Sequence, residues 1–333
     1  VETTSRFHER DTAGSRTQAL TEPTTTDEQK AYVRPTLPFD LNDGYDRFRD
    51  KDRFELHPGS LDPILTSVLR ASPEQLERAD FVTWRGALTF IMTTPYCRKD
   101  SWHLEVQRVG TTIFLNVVNP PEKIESERNK TKRDLTMCYW GFSFEDKCCN
   151  GGKKEPIDCE ESFISVVKTK VGNNRIVMGG EVDCCTQESS PEHGYEYLEL
   201  KTTRDMRKEG EFVWFKKNKL IKWWAQSFLL GVQTIIAGYR DNKGICTNIG
   251  EFKTLEIPRM VRQIPDGWDG NVCIGFLHEF LEWLKLQVLP RSASKRFRIE
   301  FNPRVNDRQI ILVEDDSIPP FISQEYLEHK YGL

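Results

Sequence analysis

Two triplets in this 333-residue chain have the residue types and spacing of a reaction centre: Glu181-Val182-Asp183 and Glu199-Leu200-Lys201. In an extended strand, residues i and i+2 point to the same face. Glu181 and Asp183 then share a face with Val182 turned inward, and Glu199 and Lys201 share one around Leu200. If the two strands pair, three carboxylates and one ammonium converge. Glu145 closes the run GFSFE at 141–145 and adds a fourth acid at the end of an apolar stretch. Carboxylates gathered this closely raise one another's pKa unless cations neutralise them. An all-oxygen donor set suits Mg²⁺ or Mn²⁺. Two such ions about 3.5–4 Å apart can clamp the attacking and leaving oxygens of a phosphoryl displacement. A lysine beside them orients water or stabilises the charge building on phosphorus. The pattern fits a metal-dependent nuclease centre of the acid–acid–(Asp/Glu)-x-Lys type. An E-x-K triplet is also the ordinary pattern of a solvated strand face with a weak ion pair, and the residues alone leave both readings open.

The elements that must position these residues can be read from period and punctuation. Residues 62–69 and 72–78 read as helices, the second opened by Ser72-Pro73-Glu74. Residues 81–96 are rich in β-branched and aromatic side chains and read as strand, and 103–118 reads as a hairpin turning near Val109-Gly110. Residues 119–134 read as a polar connection, 137–146 as a strand and 147–156 as a Cys-rich loop. Residues 162–183 read as two strands joined at Gly172-Asn173-Asn174, and 195–202 as a further strand. The spacing of Leu220, Trp223, Trp224 and Phe228 predicts one helix over 212–231, and 270–289 a second. Residues 234–241, 296–303 and 309–315 complete the strands. No internal repeat is present. The expected architecture is α+β, with large mixed sheets flanked by a few helices in a single catalytic domain over 38–333. A polar arm over 1–37, extended or draped over the body, precedes it.

Composition narrows the function classes. The chain is 38% hydrophobic and 11% aromatic, enough for a large core, and its net charge of −4 gives no global attraction to nucleic acid or anionic membrane. Phosphate binding must therefore come from a local basic patch. There is no apolar run of about 18 residues, so no membrane span is expected. The N-terminus lacks a signal pattern, so secretion is not expected, and a start at Val1 reads as a truncated or processed chain. Nine cysteines without a CxxC pair argue against a zinc ribbon or thioredoxin motif and fit reduced thiols in the cytosol or nucleus.

Six motifs together resemble the decapping exoribonuclease family, the nuclear enzymes of RNA 5′-end quality control. They are TWRGALT…TTPY (83–96), GFSFE (141–145), GEVDC (180–184), YLELKT (197–202), KWWAQSFLLGV (222–232) and IAGYRD (236–241). They occur in the family's order over roughly residues 81–241. The resemblance implies two mixed sheets related to the (Asp/Glu)-x-Lys metal-dependent exonucleases. It also implies hydrolysis at RNA 5′ ends: removal of incomplete caps, of NAD as the whole dinucleotide, or of a triphosphate as pyrophosphate, with 5′–3′ degradation of monophosphate RNA. By resemblance, Glu145, Asp183 and Glu199 match the metal-binding acids, and the Leu200 carbonyl completes the coordination of Mg²⁺ or Mn²⁺ in a two-metal centre. Glu181 matches the acid acting on the metal-held water. Lys201 and Gln226 match the polar residues at the scissile phosphate and its nucleophile, and Arg85 the arginine holding RNA phosphates deeper in the pocket. Arg240 lies in a matching motif without an assigned role. The chain departs from the family at Cys97, where an acid is expected, at Gly231-Val232-Gln233 and in the Cys-rich loop. These departures bear on substrate preference rather than on the metal acids.

The resemblance also implies a nuclear location and a nuclear 5′–3′ exoribonuclease as partner. Beside the hydrolase stands a second reading, a largely non-catalytic RNA-end-binding scaffold that stabilises such an exoribonuclease, and a third, a divergent DNA exonuclease. Other features have plainer explanations. The Lys216–Lys222 cluster reads as the solvated side of an amphipathic helix or as an RNA track, and Trp223 and Trp224 as core packing rather than base stacking. His193 reads as an exposed loop residue, and Cys184 and Cys185 as buried strand thiols.

Overall fold

The computed structural model describes residues 5–6, 10–12, 15–19, 30–48, 60–71, 78–149, 157, 162–189 and 194–331. Along the chain these form β1 (Ser5–Arg6), β2 (Arg10–Thr12), β3 (Ser15–Ala19), β4 (Phe39–Asp40), α1 (Asp62–Ala71), β5 (Phe81–Trp84), α2 (Arg85–Thr93), β6 (Trp102–Val109), β7 (Thr112–Val118), α3 (Pro121–Arg128) and α4 (Lys132–Cys149). There follow β8 (Ile164–Val171), β9 (Asn174–Glu181), β10 (Cys184–Cys185), β11 (Tyr197–Arg204), α5 (Glu209–Asn218), α6 (Leu220–Leu230), β12 (Thr234–Arg240) and β13 (Ile245–Lys253). The last elements are α7 (Ile257–Val261), α8 (Gly270–Val288), β14 (Arg296–Phe301), β15 (Ile310–Glu314) and α9 (Gln324–Tyr331).

Among the described residues the strands make two mixed sheets. The larger runs β15-β14-β6-β7-β5-β9-β8-β3-β2, with β1 also paired to β8, and the smaller runs β10-β11-β12-β13-β4. β5 lies parallel to both β7 and β9, and β11 parallel to β12, while the hairpins β6–β7 and β8–β9 are antiparallel. The main core fills the space where both sheets meet α2, α6 and α8. It contains Leu88, Ile91, Met92, Leu104, Ile176, Trp223, Trp224, Ile235, Leu277 and Leu281. The other face of the large sheet is covered by α1 and α9 through Ile64, Leu65, Val68 and Tyr326 against Val82, Phe114 and Val177. α4 covers the small sheet through Tyr139, Trp140, Phe144 and Cys148 against Leu198, Leu200, Ile236 and Ile249. This is the α+β arrangement of two mixed sheets flanked by helices expected from the sequence. No helix among the described residues is long and apolar enough to cross a membrane.

Several local expectations are corrected. Only Phe81–Trp84 of the stretch 81–96 is strand, and α2 begins at Arg85. Its buried Ala87, Leu88, Ile91 and Met92 recur at the three-to-four spacing of a helix face, which a continuously apolar stretch conceals. Residues 137–146 are helix, not strand. Trp140, Phe144 and Cys148 follow one another at i, i+4 and face the small sheet, so the apolar residues track a helical stripe. That helix starts inside the expected polar connection, which also holds α3, a solvated helix opened by Pro121. α4 runs through Cys149, and the rest of the Cys-rich stretch to Pro156 lies outside the described residues, as do residues 72–77 of the second expected helix and His193. The helix expected over 212–231 is two, α5 and α6, meeting at Lys219. Trp223 and Trp224 are core residues, and Cys184 and Cys185 are buried thiols.

Gly238 decides how closely α4 seats on the small sheet. A Cβ there would run into the ring of Phe144, one residue before Glu145. Gly238→Ala is therefore expected to lower stability by about 2 kcal/mol through overpacking, read as a fall in the urea midpoint. An unchanged midpoint would mean that α4 is not held by this contact.

Candidate active site

β9 and β11 are not neighbours. They lie in different sheets, so Glu181 and Asp183 do not meet Glu199 and Lys201 by strand pairing as the sequence suggested. The chain leaves the large sheet at Glu181 and crosses as β10 to the small sheet, where Cys184 and Cys185 pair antiparallel with Leu198 and Tyr197 of β11. This crossing brings the two triplets together. Val182 is buried, as the alternation predicted, and the Leu200 amide donates to the Asp183 carboxylate Oδ2 at 2.6 Å. Glu199 and Lys201 share a face around buried Leu200, and the Lys201 ammonium donates to Glu199 Oε1. Glu145 joins from α4, and its field reaches Asp183, Lys201, Glu181 and Glu199.

Arg85 opens α2, and its position depends on Gly180. A Cβ on Gly180 would lie 2.7 Å from Leu230 and 3.0 Å from the Arg85 Cβ, so glycine lets the start of α2 and the end of α6 close onto β9 just before Glu181. From there the guanidinium of Arg85 acts on both Glu181 and Glu199, and its Nε is buried without a hydrogen-bond partner. Gln226 is half-buried on α6, which packs against α2, and its side chain makes no hydrogen bond among the described residues. Gly141 precedes Glu145 by one turn on the same face of α4, and a Cβ there would meet nothing within 4 Å, so the wall beside Glu145 is open.

The electrostatics are those of a cation-demanding site. Burial, then the charge of Glu199, pushes the Asp183 carboxyl up to about 7. Burial, then the charge of Asp183, raises Glu145 well above the usual carboxylate range. Glu181 keeps its tip open to water, but the protein around it raises its carboxyl more than Arg85 lowers it. Glu199 is 2% exposed, and burial alone would raise it. The Lys201 ammonium, the Arg85 guanidinium and the Lys201 hydrogen bond outweigh burial and hold it below its ordinary value. Lys201 is likewise disfavoured by burial, but Glu199 and Asp183 more than compensate and keep it protonated.

Glu199 Oε2 is buried and, among the described residues, has no hydrogen-bond partner. A buried, ionised oxygen without a partner is costly, and a cation removes the cost. Among the described residues the carboxylates do not form a ready-made chelate. Glu199 turns one oxygen to Lys201, and Asp183 turns one to the Leu200 amide. The all-oxygen donor set still fits a hard divalent ion, and the orphaned Glu199 Oε2 is the atom that most needs one.

The sequence reading missed one nearby cation. Lys30, in the polar arm, lies close enough to lower the Glu181 carboxyl. Residues 30–32 run beside β10, with Cys185 N–H donating to the Lys30 carbonyl at 3.0 Å and Tyr32 N–H to the Cys185 carbonyl at 2.8 Å. A lone lysine in a low-complexity stretch gave no sequence signal.

Comparison with known proteins accounts for this geometry. The family described as RAI1-like PD-(D/E)XK nuclease matches residues 15–327. The decapping nuclease RAI1 of Aspergillus fumigatus is 33% identical over 90% of this chain and 86% of its own length. The decapping and exoribonuclease protein of Rattus norvegicus is 35% identical over 77% of this chain and 67% of its own. The crystal structure of Candida albicans Rai1 in complex with pU5 and Mn²⁺ has the same fold, with a TM-score of 0.80 at 23% identity over 100% of this chain and 97% of that one. A match over nearly the whole chain, together with an acid–acid–(Glu)-x-Lys centre at the junction of two mixed sheets, establishes that this protein belongs to the RAI1-like PD-(D/E)XK nucleases, divalent-metal-dependent hydrolases whose named relatives are decapping nucleases and exoribonucleases.

Proposed function

We propose that the protein hydrolyses the phosphodiester linkage at or near the first nucleotide of an RNA 5′ end. It would release an incomplete cap, an NAD cap or a pyrophosphate, and then degrade the exposed 5′-monophosphate RNA. The observation that carries this reading is the buried, partnerless Glu199 Oε2 at the meeting of Glu145, Asp183, Glu181 and Lys201. Glu145, Asp183, Glu199 and the Leu200 carbonyl would hold Mg²⁺ or Mn²⁺, as a pair of ions. Bound there, the metal supplies charge neutralisation and polarises the phosphoryl oxygen.

The protein's own groups do the rest. Lys201 is held protonated, so it is a fixed positive charge for the developing phosphorane and not a proton acceptor. Glu181, its proton affinity raised by the protein packed around it, suits the acceptor of the attacking water's proton. The Nε of Arg85 is unused among the described residues, and a guanidinium matches a phosphate with a fork of donors, so Arg85 would hold an RNA phosphate. Gln226, half-buried on α6, would orient the nucleophile, the role its motif carries by resemblance. The relatives' RNA-end chemistry and the pU5 bound by the Candida protein support an RNA chain as substrate. A nuclear location and a 5′–3′ exoribonuclease partner belong to the same proposal.

The test is one RNA carrying an NAD, cap, triphosphate or monophosphate 5′ end, incubated with Mg²⁺, Mn²⁺, Ca²⁺ or chelator. Release from at least one end is expected with Mg²⁺ or Mn²⁺, little with Ca²⁺ and none with chelator. No release from any end in Mg²⁺ or Mn²⁺ would overturn the proposal.

A further inference from the structure

Away from the carboxylates, the far end of the small sheet gathers four cations. β11 and β12 run parallel, with Arg204 in register with Arg240. Arg240 is 9% exposed and its guanidinium carbon lies 4.2 Å from the ring centre of Trp140 on α4. Its Nε is buried without a partner, and its Nη1 finds only the Asp241 carbonyl at 3.2 Å. The charge of Arg240 reaches Lys219, half-buried where α5 meets α6, and Arg240 in turn feels Arg133 in the first turn of α4.

The nearby acids are otherwise engaged. Glu211 holds Arg204, Asp205 faces Arg207 at 3.6 Å, and the Asp241 carboxylate accepts from the amides of Lys243 and Ile245. Among the described residues neither Arg240 nor Lys219 forms an ion pair. Burial, then the charge of Arg240, pushes Lys219 below its ordinary proton affinity, and burial, then the charge of Arg133, does the same to Arg240. A buried guanidinium among further cations, with an unused donor and only the more distant charge of Asp241 to offset it, is an arrangement that an anion completes. The indole beneath holds the guanidinium plane in place.

We propose that Arg240 and Lys219, flanked by Arg133 and Arg204, form a second phosphate-binding position that grips the RNA chain downstream of the scissile linkage. This rests on the RNA-end reading above. Arg204 ends β11 in register with Arg240, on the strand face opposite to Lys201, so it borders the cluster without continuing the reaction face. Lys219 precedes Gln226 by seven residues, about 10 Å along α6. The path along α6 leads from the reaction centre to the cluster, so a chain of several nucleotides reaches it and a dinucleotide does not.

The experiment compares wild type with Arg240→Met and, separately, Lys219→Met. Binding of a 5′-monophosphate RNA of about ten nucleotides and of the matching dinucleotide is measured in Ca²⁺ over a salt series. Each variant is expected to bind the longer RNA about tenfold more weakly, to reduce the preference for it over the dinucleotide by the same factor, and to lower the salt slope by about one. Arg240→Met is expected to keep or raise the melting temperature, because it removes an unpaired buried charge. Unchanged affinity of Lys219→Met for the longer RNA, or an equal loss on both ligands, would overturn the second position. A wild-type protein that binds neither RNA would overturn the RNA-end reading together with it, whereas wild-type binding and cleavage with both variants intact would overturn the second position alone.

Discussion

Lys201→Met is expected to bind divalent metal yet hydrolyse RNA 5′ ends about 10²–10³-fold more slowly than wild type, the usual cost of removing one preorganised group that stabilises transition-state charge. Lys201 is 25% exposed and bonded to a Glu199 that is 2% exposed, so its charge acts through protein rather than through bulk water. Methionine preserves length and removes only the charge. The buried Glu199 then loses its cation, and breaking such a pair costs about 3–5 kcal/mol. Turnover is therefore measured with Mn²⁺ present, which restores positive charge at the same oxygens. Single-turnover rates on end-labelled RNA, with calorimetric titration of Mn²⁺, separate chemistry from metal binding. Undiminished hydrolysis would remove Lys201 from the reaction. Lost Mn²⁺ binding would make it a structural partner of Glu199.

The sequence carried the local pattern of this centre better than its assembly. Alternation placed Val182 and Leu200 inside and put Glu199 and Lys201 on one face, and the structure agrees. Alternation is a property of one strand and says nothing of which sheet a strand joins. The meeting of the two triplets depends on the two-residue strand β10, too short to have a sequence period. Glu145 was recognised as a participant, but its element was misread. GFSFE shows aromatic residues at every second position, as a strand would, while the longer stripe Trp140, Phe144, Cys148 is helical. A five-residue window favours the first period and a nine-residue window the second. Arg85 shows the same difficulty, because β5 passes into α2 at that residue without a polar break.

Tertiary contacts were the least legible. Nothing local marks Gly180 as the residue that admits both α2 and α6, or Gly238 as the seat of α4. The pairing of Arg240 with Trp140 joins residues 100 positions apart, and nothing in IAGYRD marks Arg240 as stacked on an indole. The Lys216–Lys222 cluster read first as a solvated helix face and only second as an RNA track. Its members part ways in the structure: exposed Lys222 pairs with Asp100, whereas half-buried Lys219 feels the charge of Arg240 and, among the described residues, forms no ion pair.

Chelation is expected to abolish turnover and to leave a protein that loses stability as pH rises from about 4 to about 7. Asp183 has an ordinary value of 3.8 and is pushed up to about 7 in the fold, and Glu145 and Glu181 are also raised. Within that window the folded protein keeps protons that the unfolded chain has already released. It therefore binds more protons than the unfolded state, and stability falls with rising pH, by at most about 1.4 kcal/mol per pH unit for each such group. Glu199 has the opposite sign. Its lowered value contributes stability that is present above the ordinary carboxylate pKa and is lost only as pH falls through the lowered one, on the acid side of this window. A divalent ion requires the ionised carboxylates, so its binding releases protons and its stabilisation grows with pH, reaching about 2.7 kcal/mol at a concentration of about 100 Kd. Urea midpoints across this range should thus fall with pH in chelator and flatten or rise in Mn²⁺. Asp183→Asn removes the acid with the clearest shift, so it should lose part of the metal-free slope, most of the Mn²⁺ stabilisation and all turnover. A pH-independent midpoint in chelator, or full hydrolysis in excess chelator, would contradict a metal centre built on Glu145, Asp183 and Glu199.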